Sequence, residues 1–167
     1  MELYLVRHGI AFDADPTEWP DDSARPLTPE GEKRFRRAAR GLKELVATVD
    51  LVLASPFVRA WRTAEILHQD AGWPAPVKCE ALEAGRSGAE VLQALQAHST
   101  LKAVALVGHE PSLHELASYL LTADTGHVQI EMRKGSVARV ELDEALRPGS
   151  ARLVWLLPPR VMRAIED

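Results

Sequence analysis

Short apolar runs alternate with segments of helical periodicity, and this alternation restricts the fold more than any other feature of the chain. The apolar runs fall at residues 3–6, 50–55, 77–79 and 103–107. Such runs are typical of buried parallel strands, and their alternation with helices indicates βαβ units. Residues 135–142 and 152–157 then predict an antiparallel hairpin. We therefore predict a three-layer α/β/α fold with a mostly parallel mixed sheet and a C-terminal hairpin, in one domain over residues 1–167.

Capping residues mark the expected starts of the helices. Thr28 before Pro29 predicts one helix start, and Ser55 before Pro56 predicts another. Residues 87–90 and 112–115 both have the Ser-x-x-Glu pattern of a capping box. The helix after Thr28 has an apolar stripe that we expect to be buried, made of Phe35, Ala38, Ala39, Leu42, Leu45 and Val46.

The charged residues argue against a polyanionic partner. Lysine and arginine number 20 against 24 acidic residues, for a net charge of −4, so neither nucleic acid nor a membrane surface is an expected partner. The basic residues between Lys33 and Lys43 have two interpretations, a solvated helix face or a docking surface for an acidic partner protein. Cys79 is the only cysteine, and no leader or membrane-spanning run is apparent, so we expect a cytoplasmic protein.

Polar residues follow three of the apolar runs at the point where each run ends. Arg7, His8 and Gly9 follow the first run, Arg59 lies in the first turn of the helix after the second, and His109 follows the fourth. Carboxyl ends of parallel strands meet at one edge of a sheet, so these side chains predict a cationic pocket there. Guanidinium groups match phosphate oxygens, a neutral imidazole is a nucleophile near pH 7, and glycine allows close approach of the backbone. The pattern favours a phosphoryl ligand.

A loop at residues 10–22 follows directly and would lie over this pocket. It is either functional or a solvated acidic loop. The remaining histidines have no partners at metal-ligand spacing, and we assign them to structure: His68, His98, His114 and His127. We expect no metal and no cofactor.

Four sequence pieces together resemble the histidine phosphatase superfamily, also called phosphoglycerate mutase-like, and more closely its small SixA-type phosphohistidine phosphatases. The pieces are Leu5-Val6-Arg7-His8-Gly9, Arg25-Pro26-Leu27-Thr28-Pro29-Glu30-Gly31, Ser55-Pro56-Phe57-Val58-Arg59-Ala60 with Thr63-Ala64, and Gly108-His109-Glu110-Pro111. They occur in the family's order and span most of the chain.

The resemblance implies a role for each matching residue. His8 would attack phosphorus and become a transient phosphohistidine, while Arg7, Arg59 and His109 would bind the phosphoryl oxygens. Gly9 and Arg25 are further candidates for substrate binding. For the attack, His8 must be neutral, with its other ring N–H held by a backbone carbonyl, whereas His109 would be kept protonated by the bound phosphate.

The proton donor for the leaving group stays open. The phosphoglycerate mutase-like members use a glutamate after the third strand, and Glu83 occupies a similar position. The SixA type often has an acidic residue after Arg-His-Gly, but Ile10 stands here. Glu83, Asp13, Asp15 or none of them could be the donor.

Three functions remain as alternatives. The first is a metal-independent phosphatase acting on phosphohistidine, or another phosphorylated residue, of a protein. The second is a phosphomonoesterase or mutase acting on a small phosphorylated metabolite. The third is a phosphate-binding or phosphopeptide-binding module without turnover, which the presence of His8 disfavours because arginines suffice for binding.

Overall fold

A computed structural model describes residues 1–166 and contains six strands and five main helices. The strands are β1 (Glu2–Arg7), β2 (Leu51–Ala54), β3 (Val77–Lys78), β4 (Ala103–Gly108), β5 (Val137–Glu141) and β6 (Arg152–Leu157). The helices are α1 (Pro29–Leu45), α2 (Val58–Ile66), α3 (Gly88–Gln96), α4 (Ser112–Thr122) and α5 (Pro159–Glu166). Short helical turns occupy Asp22–Ala24, Leu67–Ala71 and Glu80–Leu82. None of the helices in this part of the chain is long and apolar enough to cross a membrane.

The six strands form one mixed sheet in the order β3-β2-β4-β1-β5-β6. β1, β2, β3 and β4 run parallel, and β5 pairs antiparallel with both β1 and β6. This topology confirms the predicted mostly parallel sheet with a C-terminal hairpin. β4 lies between β1 and β2, so the ends of the three strands that precede the polar motifs are neighbours.

Each face of the sheet has its own apolar core. In β1 the side chains alternate, with Tyr4 and Val6 on the face covered by α1, α2 and α5, and Leu3 and Leu5 on the face covered by α3 and α4. All four are buried. The alternation of a strand between two apolar layers explains why this run is continuously apolar.

Two of the four predicted caps are confirmed. Thr28 Oγ1 accepts a hydrogen bond from Gly31 N, and Pro29 is the first residue of α1. Ser87 and Glu90 form the reciprocal hydrogen bonds of a capping box at the start of α3.

The other two caps were predicted wrongly, because both serine side chains bind elsewhere. α2 begins at Val58 with Phe57 as its N-cap, and the Ser55 hydroxyl contacts His109 at 2.8 Å and accepts a longer hydrogen bond, of 3.3 Å, from Phe57 N ahead of the helix. α4 follows Pro111 without a side-chain cap, and Ser112 Oγ accepts a hydrogen bond from Gly85 N.

Helix α5 was not predicted; the sequence suggested only that the last strand ends at Pro158 and Pro159. Met162, in the middle of α5, is fully buried against α1. The two helix backbones approach so closely that a Cβ on Gly41 would overlap the Met162 carbonyl. The predicted stripe of α1 is buried except for Leu45, which is 49% exposed because the helix ends there and Val46 turns inward instead.

The basic face of α1 is largely occupied by carboxylates of this chain. Arg36 and Arg40 pair with Asp70, and Arg37 and Arg40 pair with Glu166. This middle part of the face fastens α1 to the turn after α2 and to α5. The two expected interpretations of the basic face, a solvated face and a docking surface, therefore do not describe this middle part.

Gly41→Ala tests the close contact of α1 with α5. Alanine favours a helix interior by about 1 kcal/mol over glycine, but here overpacking against the Met162 backbone should dominate. We expect the free energy of unfolding, measured by urea denaturation, to fall by roughly 1–3 kcal/mol. Lys33→Ala, at an exposed position of the same helix, should change it by less than about 0.5 kcal/mol. Equal stability of the two variants would contradict the described packing.

Candidate active site

The carboxyl ends of three neighbouring parallel strands form one polar site. His8, Ser55 and His109 directly follow β1, β2 and β4. Backbone hydrogen bonds connect these segments, from His8 N to Gly108 O at 3.1 Å and from Ser55 N to Val107 O at 2.9 Å. The strand ends therefore meet, as the sequence predicts.

His8 lies in this site with only 6% of its surface exposed. Its Nδ1 lies 2.7 Å from Gly9 O, so a proton on Nδ1 is donated to that carbonyl and Nε2 keeps a free lone pair. Burial is the main cause that lowers the pKa of His8 from 6.5 to about 3; the hydrogen bond to Gly9 O opposes it, and the charges of Arg59 and Arg7 add to it. The imidazole is therefore neutral at pH 7 and held by a backbone carbonyl, as attack on phosphorus would require; its role as nucleophile stays a prediction.

His109 packs beside His8, with 5.3 Å between the two ring centroids. Its Nε2 lies 2.8 Å from Ser55 Oγ. Burial, followed by the charge of Arg59, lowers the pKa of His109 to about 3. These surroundings make both imidazoles neutral, and the protonation of His109 by a bound phosphoryl group stays a prediction.

Arg59 is fixed by Asp22 and by an aromatic ring. Its Nη1 donates to Asp22 O at 2.7 Å and its Nη2 pairs with Asp22 Oδ2 at 2.8 Å. The guanidinium carbon lies 5.3 Å from the centroid of the Phe57 ring, which in turn packs against His109 at 5.0 Å between centroids. Only 3% of Arg59 is exposed, so its planar group has little freedom to move.

Arg7 is held by the segment that precedes β5. Its Nη1 donates to Met132 O at 2.6 Å. The backbone of the same segment closes over the end of β1, with Gly135 N donating to His8 O at 2.9 Å. Burial lowers the pKa of Arg7 from its ordinary value, although a guanidinium stays protonated at neutral pH.

Three nitrogen atoms of this site are buried and have no hydrogen-bond partner among residues 1–166. They are Arg7 Nε, Arg59 Nε and His109 Nδ1. A buried polar atom without a partner costs about 1–3 kcal/mol, so proteins rarely keep three of them near one another without a functional reason. An oxyanion supplies the acceptors that the two guanidinium nitrogens need, and a protonated imidazole would use one as well.

Thr63 connects the nucleophile loop to helix α2. Its Oγ1 accepts a hydrogen bond from Gly9 N at 3.0 Å and donates to Arg59 O at 2.7 Å. The hydroxyl is buried, and it fixes the residue after His8 relative to the helix that carries Arg59. Gly9 itself approaches Leu27 and Phe35 rather than open space.

Known proteins share both the sequence and the fold around this site. A family model described as the histidine phosphatase superfamily (branch 1) matches residues 3–84. The phosphohistidine phosphatase SixA of Escherichia coli (strain K12) is 31% identical over 164 residues, which cover 95% of this chain and 94% of the relative. The chain belongs to the histidine phosphatase superfamily.

Two further comparisons agree with this membership. An uncharacterized protein of Picosynechococcus sp. is 38% identical over 156 residues, covering 92% of this chain and 88% of the relative. A solved structure of the protein histidine phosphatase SixA complexed with tungstate superposes with a TM-score of 0.83 at 28% identity, covering 97% of this chain and 99% of that one. The fold of this histidine phosphatase is therefore the phosphoglycerate mutase-like fold that the resemblance implied.

Arg25 and the loop at residues 10–22 lie at the edge of the site. Arg25 donates from Nε to Asp22 Oδ1 at 2.8 Å and from Nη1 to Phe12 O at 2.6 Å. Asp22, the last residue of the loop, therefore binds both Arg25 and Arg59 through its carboxylate. Arg25 is close enough to lower the pKa of His109, and its predicted role in substrate binding stays a prediction.

The candidate proton donors occupy different surroundings. Glu83 Oε2 pairs with Arg86 at 3.3 Å, and the Glu83 side chain is 27% exposed. Asp13 and Asp15 are exposed in the loop, where Asp15 accepts a hydrogen bond from Thr17 N. Each of them as proton donor stays a prediction.

Glu110 adds a further carboxyl group beside the site. Glu110 Oε2 lies 2.6 Å from His114 Nδ1, while Oε1 is buried with no partner among the described residues. Burial raises the pKa of Glu110, against the opposing effects of His114 and Arg7. His114, which was expected to be structural, therefore has a defined partner in Glu110, the residue directly after His109.

Sequence reasoning missed the contacts that orient the site. Asp22, Ser55 and the Met132 carbonyl each hold a residue of the predicted set, although none had been given that role. Ser55 and Thr63 belong to a recognised piece, so a search for polar residues next to the predicted arginine could have found them. Asp22 is one of several loop carboxylates, and the Met132 contact depends on backbone alone.

The two buried imidazoles predict a loss of stability in acid. Their folded pKa values near 3 lie below the ordinary 6.5, so between these values the unfolded chain binds protons that the folded protein does not. Stability should therefore fall as the pH is lowered through this range, by roughly 2–3 kcal/mol per imidazole at about pH 4.5. The measurement is urea denaturation at about pH 7 and about pH 4.5. Between these two conditions, the free energy of unfolding of His8→Asn should fall by roughly 2–3 kcal/mol less than that of the wild type. The exposed His127→Asn serves as control, and a wild-type-like acid loss in His8→Asn would refute the assignment.

Asp22 predicts the affinity of the site for oxyanions. A hydrogen bond from Arg25 and the charge of Arg59 hold its pKa low, so Asp22 is charged at neutral pH and offsets Arg59. We expect Asp22→Asn to bind inorganic phosphate about threefold to tenfold more tightly, since a half-exposed charge is worth ~1 kcal/mol. The measurement is competitive inhibition of aryl phosphate hydrolysis. The control is Asp21→Asn, which removes a neighbouring charge that does not contact Arg59. Weaker phosphate binding by Asp22→Asn would mean that the orientation of Arg59 by Asp22 outweighs the repulsion between Asp22 and phosphate.

Proposed function

We propose that this protein is a metal-independent phosphatase in which His8 is the nucleophile. The observation that carries the proposal is the neutral imidazole of His8, with Nδ1 held by Gly9 O and Nε2 free, beside Arg7 and Arg59. A phosphoryl acceptor needs an available lone pair and positive charge around the transferred group, and this site offers both.

The proposed reaction has two steps. In the first, His8 Nε2 forms a bond to phosphorus while the bond from phosphorus to the leaving group breaks, which gives a phosphohistidine and the released leaving group. In the second, water attacks the same phosphorus, the bond to Nε2 breaks, and inorganic phosphate leaves with His8 neutral again. Charge on the phosphoryl oxygens is balanced by Arg7, Arg59 and, if protonated, His109.

The proposed substrate is a phosphohistidine on a protein. The E. coli relative with 31% identity is named a phosphohistidine phosphatase, and similarity to it extends over 95% of this chain. The chemistry fits, because a protonated imidazole leaves phosphorus readily and depends less on a proton donor than an alkoxide does. Phosphate or another oxyanion is the group that the pocket would hold.

One observation favours a small phosphomonoester instead. An alkoxide leaving group needs a general acid, and Glu110, whose pKa is raised by burial, directly follows His109. Glu83 is the candidate for the same role from the family resemblance. A phosphatase with an effective acid at either position would hydrolyse alkyl phosphates well.

His8→Ala is the direct test of the nucleophile. The variant should lose at least about 10³-fold in phosphate release, because the covalent route is removed. Wild type quenched during turnover of radiolabelled substrate should carry acid-labile, base-stable phosphate, and His8→Ala should carry none. His127→Ala, which removes an exposed histidine, should be unaffected. Full activity of His8→Ala, or loss of wild-type activity in the presence of a chelator, would reject the mechanism.

A substrate panel separates the alternatives. Phosphate release is compared for a histidine-phosphorylated protein, phosphoserine peptides and sugar phosphates, with an activated aryl phosphate as reference. The proposal expects the highest kcat/KM for the phosphohistidine protein. A sugar phosphate that exceeds it would favour the small-metabolite alternative. Phosphate binding without release from the aryl phosphate would show a binding module.

A further inference from the structure

A basic groove lies directly beside the candidate active site. It has a volume of about 470 Å³, and its walls include Arg7 together with five other cationic side chains. The five are Arg34 of α1, Arg133 and Lys134 of the segment before β5, and Arg160 and Arg163 of α5. Because Arg7 belongs to both regions, the basic groove adjoins the site that holds His8.

The charge of this groove is mostly available to a partner. Within residues 1–166, Lys134, Arg160 and Arg163 have no carboxylate at salt-bridge distance. Arg34 and Arg133 pair only with exposed carboxylates, and their side chains are 54% and 64% exposed. The middle of α1 differs, because Arg36, Arg37 and Arg40 are engaged by Asp70 and Glu166. In a chain with a net charge of −4, the groove is therefore a local excess of positive charge.

We infer that the basic groove docks an acidic segment of the phosphoprotein whose phosphorylated residue enters the site at His8. The inference rests on the proposed function and specifies its substrate class. Charge complementarity identifies the partner, since the five cations come from three separate elements and are exposed or half-exposed. Such dispersed charge suits several carboxylates along a chain better than one compact phosphate.

The apolar part of the groove agrees with a polypeptide partner. Ile10, Pro158 and Pro159 lie among the cationic side chains. They provide contact surface for aliphatic parts of a docked segment. A mixed surface of this kind is usual where a protein binds an extended segment, whereas inorganic anions gain nothing from the apolar residues.

Docking through exposed charges has a defined kinetic signature. Such charges mainly increase the rate of encounter and lose effect as salt screens them. A small substrate that reaches only Arg7, Arg59 and His109 does not use the five other cationic side chains of the groove. The groove should therefore increase kcat/KM for acidic phosphoproteins and not for aryl phosphates.

The test uses two peptides that differ only next to the reacting residue. Each carries one phosphohistidine, flanked by a run of glutamates in one peptide and of glutamines in the other, and an aryl phosphate is the reference. The enzyme variant is Arg133→Glu with Arg160→Glu, two exposed positions outside the packed core. The control is Arg147→Glu, since Arg147 pairs locally with Asp143 much as Arg133 pairs with Glu131, but lies near the β5–β6 turn at the opposite edge of the sheet.

Wild type and Arg147→Glu should prefer the glutamate peptide by about tenfold in kcat/KM at low salt, and the preference should shrink at high salt. The double variant should lose the preference and keep aryl phosphate hydrolysis within about threefold, which also shows that it is folded.

Equal use of both peptides by wild type, or a preference that survives in the double variant, would overturn docking in this groove. Failure to hydrolyse either peptide while the aryl phosphate is cleaved would instead reject the proposed phosphohistidine substrate. A small bisphosphate that inhibits wild type but not the double variant, without a peptide preference, would assign the groove to a second phosphate.

Discussion

The site depends on the burial of one imidazole next to permanently charged guanidinium groups. In water, a histidine with a pKa near 6.5 would be partly protonated at neutral pH, and the proton would remove the lone pair that attacks phosphorus. Burial at the end of β1 makes that protonation unfavourable, and Arg7 and Arg59 add repulsion. The hydrogen bond from Nδ1 to Gly9 O then selects the tautomer with Nε2 free. Sheet order, helix packing and loop contacts all serve to maintain this arrangement.

The architecture of the sheet explains how residues distant in sequence form that arrangement. β4 lies between β1 and β2, so the two histidines and the helix that carries Arg59 come from adjacent strand ends. Thr63 couples two of these segments through a single hydroxyl, and Met132 O and Gly135 N hold Arg7 and the end of β1 from the opposite side. The reacting groups are thus placed mainly by backbone geometry, which a long flexible loop could not provide.

The order along the chain of the strands and the first four helices, and the meeting of the cationic residues at one edge of the sheet, could be predicted from the sequence. Apolar runs and helical stripes have clear periods, and the positions of Arg7, His8, Arg59 and His109 after them indicate one edge of the sheet. Competing partners of polar groups could not be predicted. Ser55 and Ser112 have the pattern of helix caps, yet their hydroxyls bind His109 and Gly85 in three dimensions. Helix α5 was missed because it begins at Pro159 directly after Pro158, and two prolines indicate the end of a strand as readily as the start of a helix.

Asp22 has a consequence for how the pocket behaves between reactions. Its carboxylate already binds Nη2 of Arg59 and its backbone carbonyl binds Nη1, so an internal counter-ion partly neutralises the pocket whenever no phosphoryl group is there. Chloride and other ambient anions therefore meet a weaker attraction than two arginines alone would exert. Selectivity for a tetrahedral dianion over simple monovalent ions follows from this built-in competitor.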